Sequence, residues 1–226
     1  MSGFDRLVFT FFNGEVAAKF APLIFEGFLL TTWLGLAVIA AGLSLGLGLA
    51  SLRSFRVKPL NFFIICYADV LRALPPLVVI IILFFAFPYV GLSMSSFIAT
   101  WLSLTLVLAA FSEEIFWAGI MAVPKGQTEA ARSTGMTHVQ TLLWVVLPQA
   151  VRITIPPLTN RMIGITKGTA LGSVVALHEI LNQASSGASE AGNPTPLTLG
   201  ALAYLVLFIP FVVFGRWIET RYRWKR

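Results

Sequence analysis

Three uncharged runs limit what this chain is able to fold into. Residues 27–52, 73–112 and 191–215 contain no Asp, Glu, Lys or Arg. A helix needs about 20 apolar residues to cross a hydrocarbon layer of about 30 Å, and each run is long enough for at least one crossing. Inside such a layer every backbone N–H and C=O must find its partner within the chain, which leaves helices or closed barrels. Composition agrees. Of 226 residues, 57% are hydrophobic and 12% charged, and the mean hydropathy is +0.84. An ordinary soluble domain carries about twice that charged share. The expected class is an all-α integral membrane protein with about five transmembrane helices.

The net charge of +6 fits Lys and Arg placed beside membrane spans better than a nucleic-acid surface, so no nucleic-acid partner is expected. The one cysteine, Cys66, has no intramolecular disulfide partner and no metal-ligand spacing. It is expected to be a small buried apolar residue, and no metal site or catalytic residue is expected. The first 22 residues carry Asp5, Arg6 and Glu15, which is unlike a cleaved signal. They are expected to form an external or interfacial segment.

The first span is expected over Leu23–Leu49, rich in small residues that let helices approach closely. The basic loop Arg53, Arg56, Lys58 follows, a cytoplasmic mark. A second span, Asn61–Phe87, is broken by Pro75-Pro76; Asp69 and Arg72, three apart, share a helical face and are able to pair. Pro88–Ser96 is an expected external loop, and Phe97–Ala118 a third span. Near its middle or lower half lie Glu113 and Glu114, costly at membrane depth. Adjacent helical residues point about 100° apart, so one is expected to line a cavity and the other to sit in a helix interface.

The stretch from Glu129 to Pro148 is the longest polar-rich segment in the chain. Thr128 is expected to cap a short helix, Glu129–Thr134, with Glu129 at the positive end of its dipole. Gly135 is suited to closing it in the left-handed conformation. Thr137 and Gln140 have the spacing of a capping box that starts a second short helix. His138 is read as a surface residue. The fourth span, about Ala150–Ile165, carries Pro156-Pro157, Arg152, Asn160, Arg161 and then Lys167; it is too polar for lipid and should lie beside a path or a partner. His178 and Glu179 are placed on a short helix, Ser185–Pro196 in an external loop, and Leu197–Phe214 in the last span. The basic tail, 220–226, marks the C-terminus as cytoplasmic and, with five spans, the N-terminus as external.

Glu129-Ala130-Ala131, Gly135 and Val145-Val146-Leu147-Pro148 resemble the "EAA" signature of ATP-binding-cassette importer permeases. The flanks resemble the polar amino acid subfamily, the histidine, arginine and glutamine permeases: Val123-Pro124-Lys125-Gly126-Gln127 before the loop, and Leu147-Pro148-Gln149-Ala150, Arg152, Pro156-Pro157 and Asn160 after it. The resemblance implies the MetI-like type I importer fold over 23–219, with a coupling loop at about 124–148. It implies contact with an ATPase subunit through Glu129, Ala130, Ala131, Gly135, Leu147 and Pro148. It also implies a solute path near Glu113, Glu114, Arg72, Asn160, Arg161 and Lys167. The implied partners are a dimer of ATPase subunits, a second like or unlike permease subunit, a periplasmic or lipid-anchored solute-binding protein and the lipid of a bacterial inner membrane. ATP and Mg would sit on the ATPase, since the chain has no GxxxxGK[ST] loop. The chain itself is then no enzyme and binds no cofactor.

Several positions depart from the subfamily pattern, beginning with Ala73-Leu74-Pro75 where Gly-Thr-Pro is usual. Glu113 is an added acid, Trp117 stands where an Arg is usual, and Gly168 stands where an Asp is usual. Glu113 and Trp117 make the third span more anionic, which favours a solute with an exposed ammonium; Gly168 argues the other way. For Glu113 the alternative role is an ion pair with Arg161, Arg152 or a partner subunit's cation. The competing function is a secondary transporter or channel not coupled to ATP, which also uses intramembrane acids and broken helices. No internal repeat supports it, and it leaves the loop unexplained.

Overall fold

The structure, a computed structural model, describes residues 3–222; residues 223–226 of the expected basic tail lie outside the described residues. In chain order the helices are α1 (Gly3–Phe11), α2 (Gly14–Arg53), α3 (Lys58–Ala73), α4 (Pro76–Ile81), α5 (Ser96–Ala122), α6 (Lys125–Ser133), α7 (His138–Thr141), α8 (Leu147–Lys167), α9 (Ile180–Ala191) and α10 (Thr195–Tyr222). Helix α4 continues as a π-helical turn, Ile82–Ala86, and a 3₁₀ turn, Phe87–Val90; a second π-helical turn, Leu142–Val146, joins α7 to α8. Among the described residues, four helical segments are long and apolar enough to cross a membrane, or five if the broken pair Lys58–Ala73 and Pro76–Val90 is one span.

The first span begins earlier than the sequence reading has it. Only α1 stands apart, and Gly14–Pro22 belongs to α2. Asn13 explains the restart, because its Oδ1 accepts from the N–H groups of Glu15 and Val16, a side-chain cap on the new helix. Cys66 is exposed rather than buried. On a helix in hydrocarbon, an apolar side chain gains nothing by facing inward. Helix α10 shows the same logic, with Leu202, Leu205, Val206, Ile209 and Val213 all exposed.

The chain divides into two compact units. One holds Met1–Ala37, Pro76–Ser103 and Thr166–Val212. In it a Cβ on Gly27 of α2 would meet the backbone at Glu179 and Ile180 at 3.0 Å, so the chains touch backbone to backbone. The expected loop at Ser185–Pro196 is helical as far as Ala191, and Glu179 precedes that helix instead of lying on one. Its buried carboxylate caps α9, accepting from the N–H groups of Leu181 and Asn182 at 2.9 and 2.7 Å, and it accepts the Tyr204 hydroxyl at 2.7 Å. Buried Ile180, Ala184 and Gly187 then fall on one face of α9, a helical spacing that a reading by polarity misses.

The other unit holds Val38–Pro75, Leu104–Ile165 and Val213–Arg226. Here α2 and α5 pack through small residues. A Cβ on Gly46 would lie 2.6 Å from Ser112 Cβ and 2.9 Å from the Ala109 carbonyl oxygen. Between α5 and α8, a Cβ on Gly119 would lie 2.4 Å from Thr154 Cγ2. Around these contacts Ala50, Phe116 and Leu158 form one apolar cluster, and Val123, Leu142, Val146 and Ala150 a second.

Both π-helical turns precede a proline. The N–H of Phe87 reaches the carbonyl of Ile82, and that of Leu147 the carbonyl of Leu142, each five residues back. Pro88 and Pro148 follow directly. A proline ring clashes with the carbonyl four residues earlier in a regular helix, and the wider turn gives that carbonyl room. Gln149 Nε2 donates to the Val145 carbonyl at 2.7 Å, satisfying a group beside the irregularity.

These contacts predict opposite outcomes for two glycines two residues apart. Gly46→Val overpacks the α2–α5 contact and lowers stability by about 1–3 kcal/mol. At Gly48 an added Cβ would meet nothing within 4 Å. Gly48→Ala is therefore tolerated and gains up to about 1 kcal/mol of helix propensity. Thermal unfolding of the detergent-purified protein compares the two; equal midpoints would contradict the close packing.

Candidate functional site

The polar stretch after α5 folds as a compact loop. Pro124, with φ −55° and ψ 132°, precedes α6 without a side-chain cap. The helix therefore starts at Lys125, four residues before the expected Glu129, and Thr128 lies inside it rather than capping it. Glu129 is accordingly past the first turn. The physical reason is that proline is at home before a helix's first turn, and nothing in Gly126-Gln127-Thr128 forces a break. Gly135 closes α6 with φ +89°; its N–H reaches the Arg132 carbonyl, and that of Met136 the Ala131 carbonyl. The capping box is present in both directions, Thr137 N–H to Gln140 Oε1 at 2.8 Å and Gln140 N–H to Thr137 Oγ1 at 3.3 Å.

Within this loop Glu129, Ala130 and Gly135 are exposed, whereas Ala131 is buried. Leu147 packs against the Val123–Leu142 cluster, and Pro148 is exposed. The outer surface is thus free for a partner while the inner surface is pinned to α5 and α8. Under the loop lies a cleft of about 660 Å³, lined among others by Phe55, Arg56, Trp117, Lys125, Glu129 and His138. His138 is exposed as expected, but its ring rests 5.2 Å from that of Phe55.

A second cavity, of about 880 Å³, is lined by Asp69, Arg72, Phe111, Glu114, Pro157, Asn160 and Arg161 together with Ala73 and Ile115. Arg72 Nη2 donates to Asp69 at 2.8 Å, the pairing their spacing allows, and Arg72 also pairs with Glu114. Asn160 Nδ2 donates to Glu219 Oε1 at 2.7 Å, which holds its amide in place. Arg161 differs. Its guanidinium lies 3.7 Å from the centroid of the Phe111 ring, a cation–π contact, and no acid among the described residues is within ion-pair distance of it.

The two adjacent acids part company. Glu114 is 53% exposed at the cavity, whereas Glu113 is 0% exposed. The partner of Glu113 is none of the cations weighed from sequence. Arg53, the last residue of α2, donates from Nη1 to both of its carboxylate oxygens at 2.9 and 3.3 Å. A residue sixty positions away offers no local spacing from which to be read. The cavity therefore unites Arg72, Glu114, Asn160 and Arg161 from the expected path, and Glu113 does not line it. Lys167 belongs to the other unit, its ammonium 5.9 Å from the Phe208 ring. Asp69, Phe111 and Pro157 are additions; the i,i+3 pairing of Asp69 with Arg72 is the available hint.

Residues 39–224 match the family model described as "Binding-protein-dependent transport system inner membrane component". The chain is 35% identical over 197 residues to the probable glutamine ABC transporter permease protein GlnM of Bacillus subtilis, covering 87% of this chain and 91% of that one. It is 30% identical over 202 residues to the arginine transport system permease protein ArtQ of the same organism, covering 88% and 92%. Among solved structures it superposes on the "amino acid ABC transporter with histidines" with a TM-score of 0.80 at 31% identity, covering 90% of this chain and 96% of that one. It shares the fold of the MetNI methionine transporter in an inward-facing form, with a TM-score of 0.66. A multi-pass helical chain with a capped loop between its spans, matched to this family along most of its length, belongs to the inner-membrane permease subunits of ATP-binding-cassette importers.

Proposed function

We propose that the permease moves a polar amino acid, or a related small solute carrying both an ammonium and a carboxylate. The observation that carries this reading is Arg161, a cation held over the Phe111 ring and lining a cavity without an acidic partner among the described residues. A guanidinium so placed matches a solute carboxylate in fork geometry. Asp69 and Glu114 share the cation Arg72, so the two acids outnumber the cation between them and are able to accept an ammonium. The names of the curated relatives, glutamine and arginine permeases, support the same solute class.

In this reading the exposed face of α6, with Glu129, Ala130 and Gly135, docks on a separate ATPase subunit, and Leu147 and Pro148 anchor the return helix. ATP and Mg are held by that subunit. A second permease subunit completes the path and a solute-binding protein delivers the cargo. The basic segments at 53–58, 125–132 and 216–226 face the cytoplasm by the positive-inside rule, and five spans then leave the N-terminus outside.

Two outcomes test this. With the complex reconstituted and the binding protein supplied, ATP hydrolysis should rise with amino acids and not with sugars or inorganic ions. Arg161→Gln should lower uptake by about 10–100-fold, the worth of one charge-assisted bond, while the ATPase stays bound; parental uptake would remove Arg161 from the path. Separately, Gly135→Ala imposes a side chain on a left-handed residue at about 1–2 kcal/mol and should weaken co-purification of the ATPase. Undiminished capture by Gly135→Ala and Glu129→Lys together would sink the docking assignment.

A further inference from the structure

The Glu113 pair is not explained by the solute cavity, which it does not line. We infer that Arg53, Glu113 and Trp117 form a latch that fixes the docking loop to the turn of α5 carrying Glu114, and that they are positioning residues for coupling hydrolysis to solute movement. This rests on the docking reading above and deepens it.

Glu113 is fully buried, and its carboxylate is answered by Arg53. The same guanidinium lies 4.6 Å from the centroid of the Trp117 ring, one helical turn further along α5. The cation is thus clamped between an acid and an indole face of one helix, each contact strengthening where water is excluded.

Arg53 is also the anchor of the next turn. Its carbonyl accepts from Asn61 Nδ2 at 3.2 Å and from the Arg56 N–H at 3.1 Å. Arg56 is left-handed, with φ +58°, so the turn is sharply held. From it Phe55 reaches the ring of His138, the first residue of α7. Phe55, Arg56 and Trp117 all line the cleft under the docking loop. On the other side, Glu114 follows Glu113 directly and pairs with Arg72 in the solute cavity. One turn of α5 therefore holds Arg53, whose following turn carries Phe55 against the docking loop, with one carboxylate, and reaches the cavity with the next. A buried ion pair adds little net stability over a well-packed apolar pair, so stability alone leaves this arrangement without a reason.

The test separates coupling from folding. The full complex in proteoliposomes, with the solute-binding protein and the stimulating amino acid, gives solute moved per ATP hydrolysed. The double variant Arg53→Met/Glu113→Leu replaces both charges by apolar side chains and strands neither. It should assemble, and its solute-per-ATP ratio should fall about tenfold. Arg53→Lys keeps the charge and should retain most of the ratio. A parental ratio in the double variant would show the pair to be mere filling and overturn the latch. If the double variant does not assemble, Trp117→Leu carries the same test, since it strands no charge; an unchanged ratio there overturns the latch equally. Failure of the parental chain to bind an ATPase at all would overturn the docking reading, and the latch with it, before any variant is compared.

Discussion

Every backbone polar group placed in hydrocarbon must be satisfied by the chain itself, and the rest of this structure follows from how that demand is met. Long helices meet it without effort. Prolines do not, and the chain carries several inside its spans. Pro88 and Pro148 are each preceded by a widened turn, and the carbonyl of Val145 is answered by a glutamine side chain. Helix termini are treated with the same care: Asn13, Thr137 and Glu179 each cap a helix through a side-chain oxygen.

Close packing supplies what a solvent-driven core supplies elsewhere. Lipid gives apolar side chains little reason to turn inward, and the closest approaches between these helices are made at small residues. Gly46 against Ser112 and Gly119 against Thr154 bring helices to backbone distance. The acids that break the apolar pattern are then held in place by that scaffold. Gly46 sits against the backbone N–H of Glu113 itself, so the helix that supplies Arg53 is fixed at the height of its partner.

Much of this is legible from residues alone. The uncharged runs point to helices of the right number, Gly135 and the Thr137–Gln140 pair mark the loop's hinge and second start, and the offset of adjacent helical residues separates Glu113 from Glu114. What is not legible depends on distance along the chain or on the identity of the solvent. Arg53 is invisible as a partner of Glu113 because nothing local links them. The start of α6 escapes a reading by caps because Pro124 opens a helix without one. Ser185–Ala191 reads as loop by polarity, and only the burial of Ile180, Ala184 and Gly187 makes a helix of it. An interior place for Cys66 follows from a rule that holds in water and loses its force in lipid.

The widened turn at Leu142–Val146 also sets the phase of everything that follows it in α8. A helical residue advances the chain by about 100° about its axis, and a turn closed five residues back holds one residue more than a regular one. Removing a single residue there would close the turn to a regular one, press the Pro148 ring against the carbonyl four residues back, and rephase the rest of α8. Its polar face would be turned through more than a quarter circle, carrying Asn160 away from Glu219 and Arg161 away from Phe111. The loop's irregularity is therefore the dial by which the side chains lining the Arg72–Arg161 cavity are aimed.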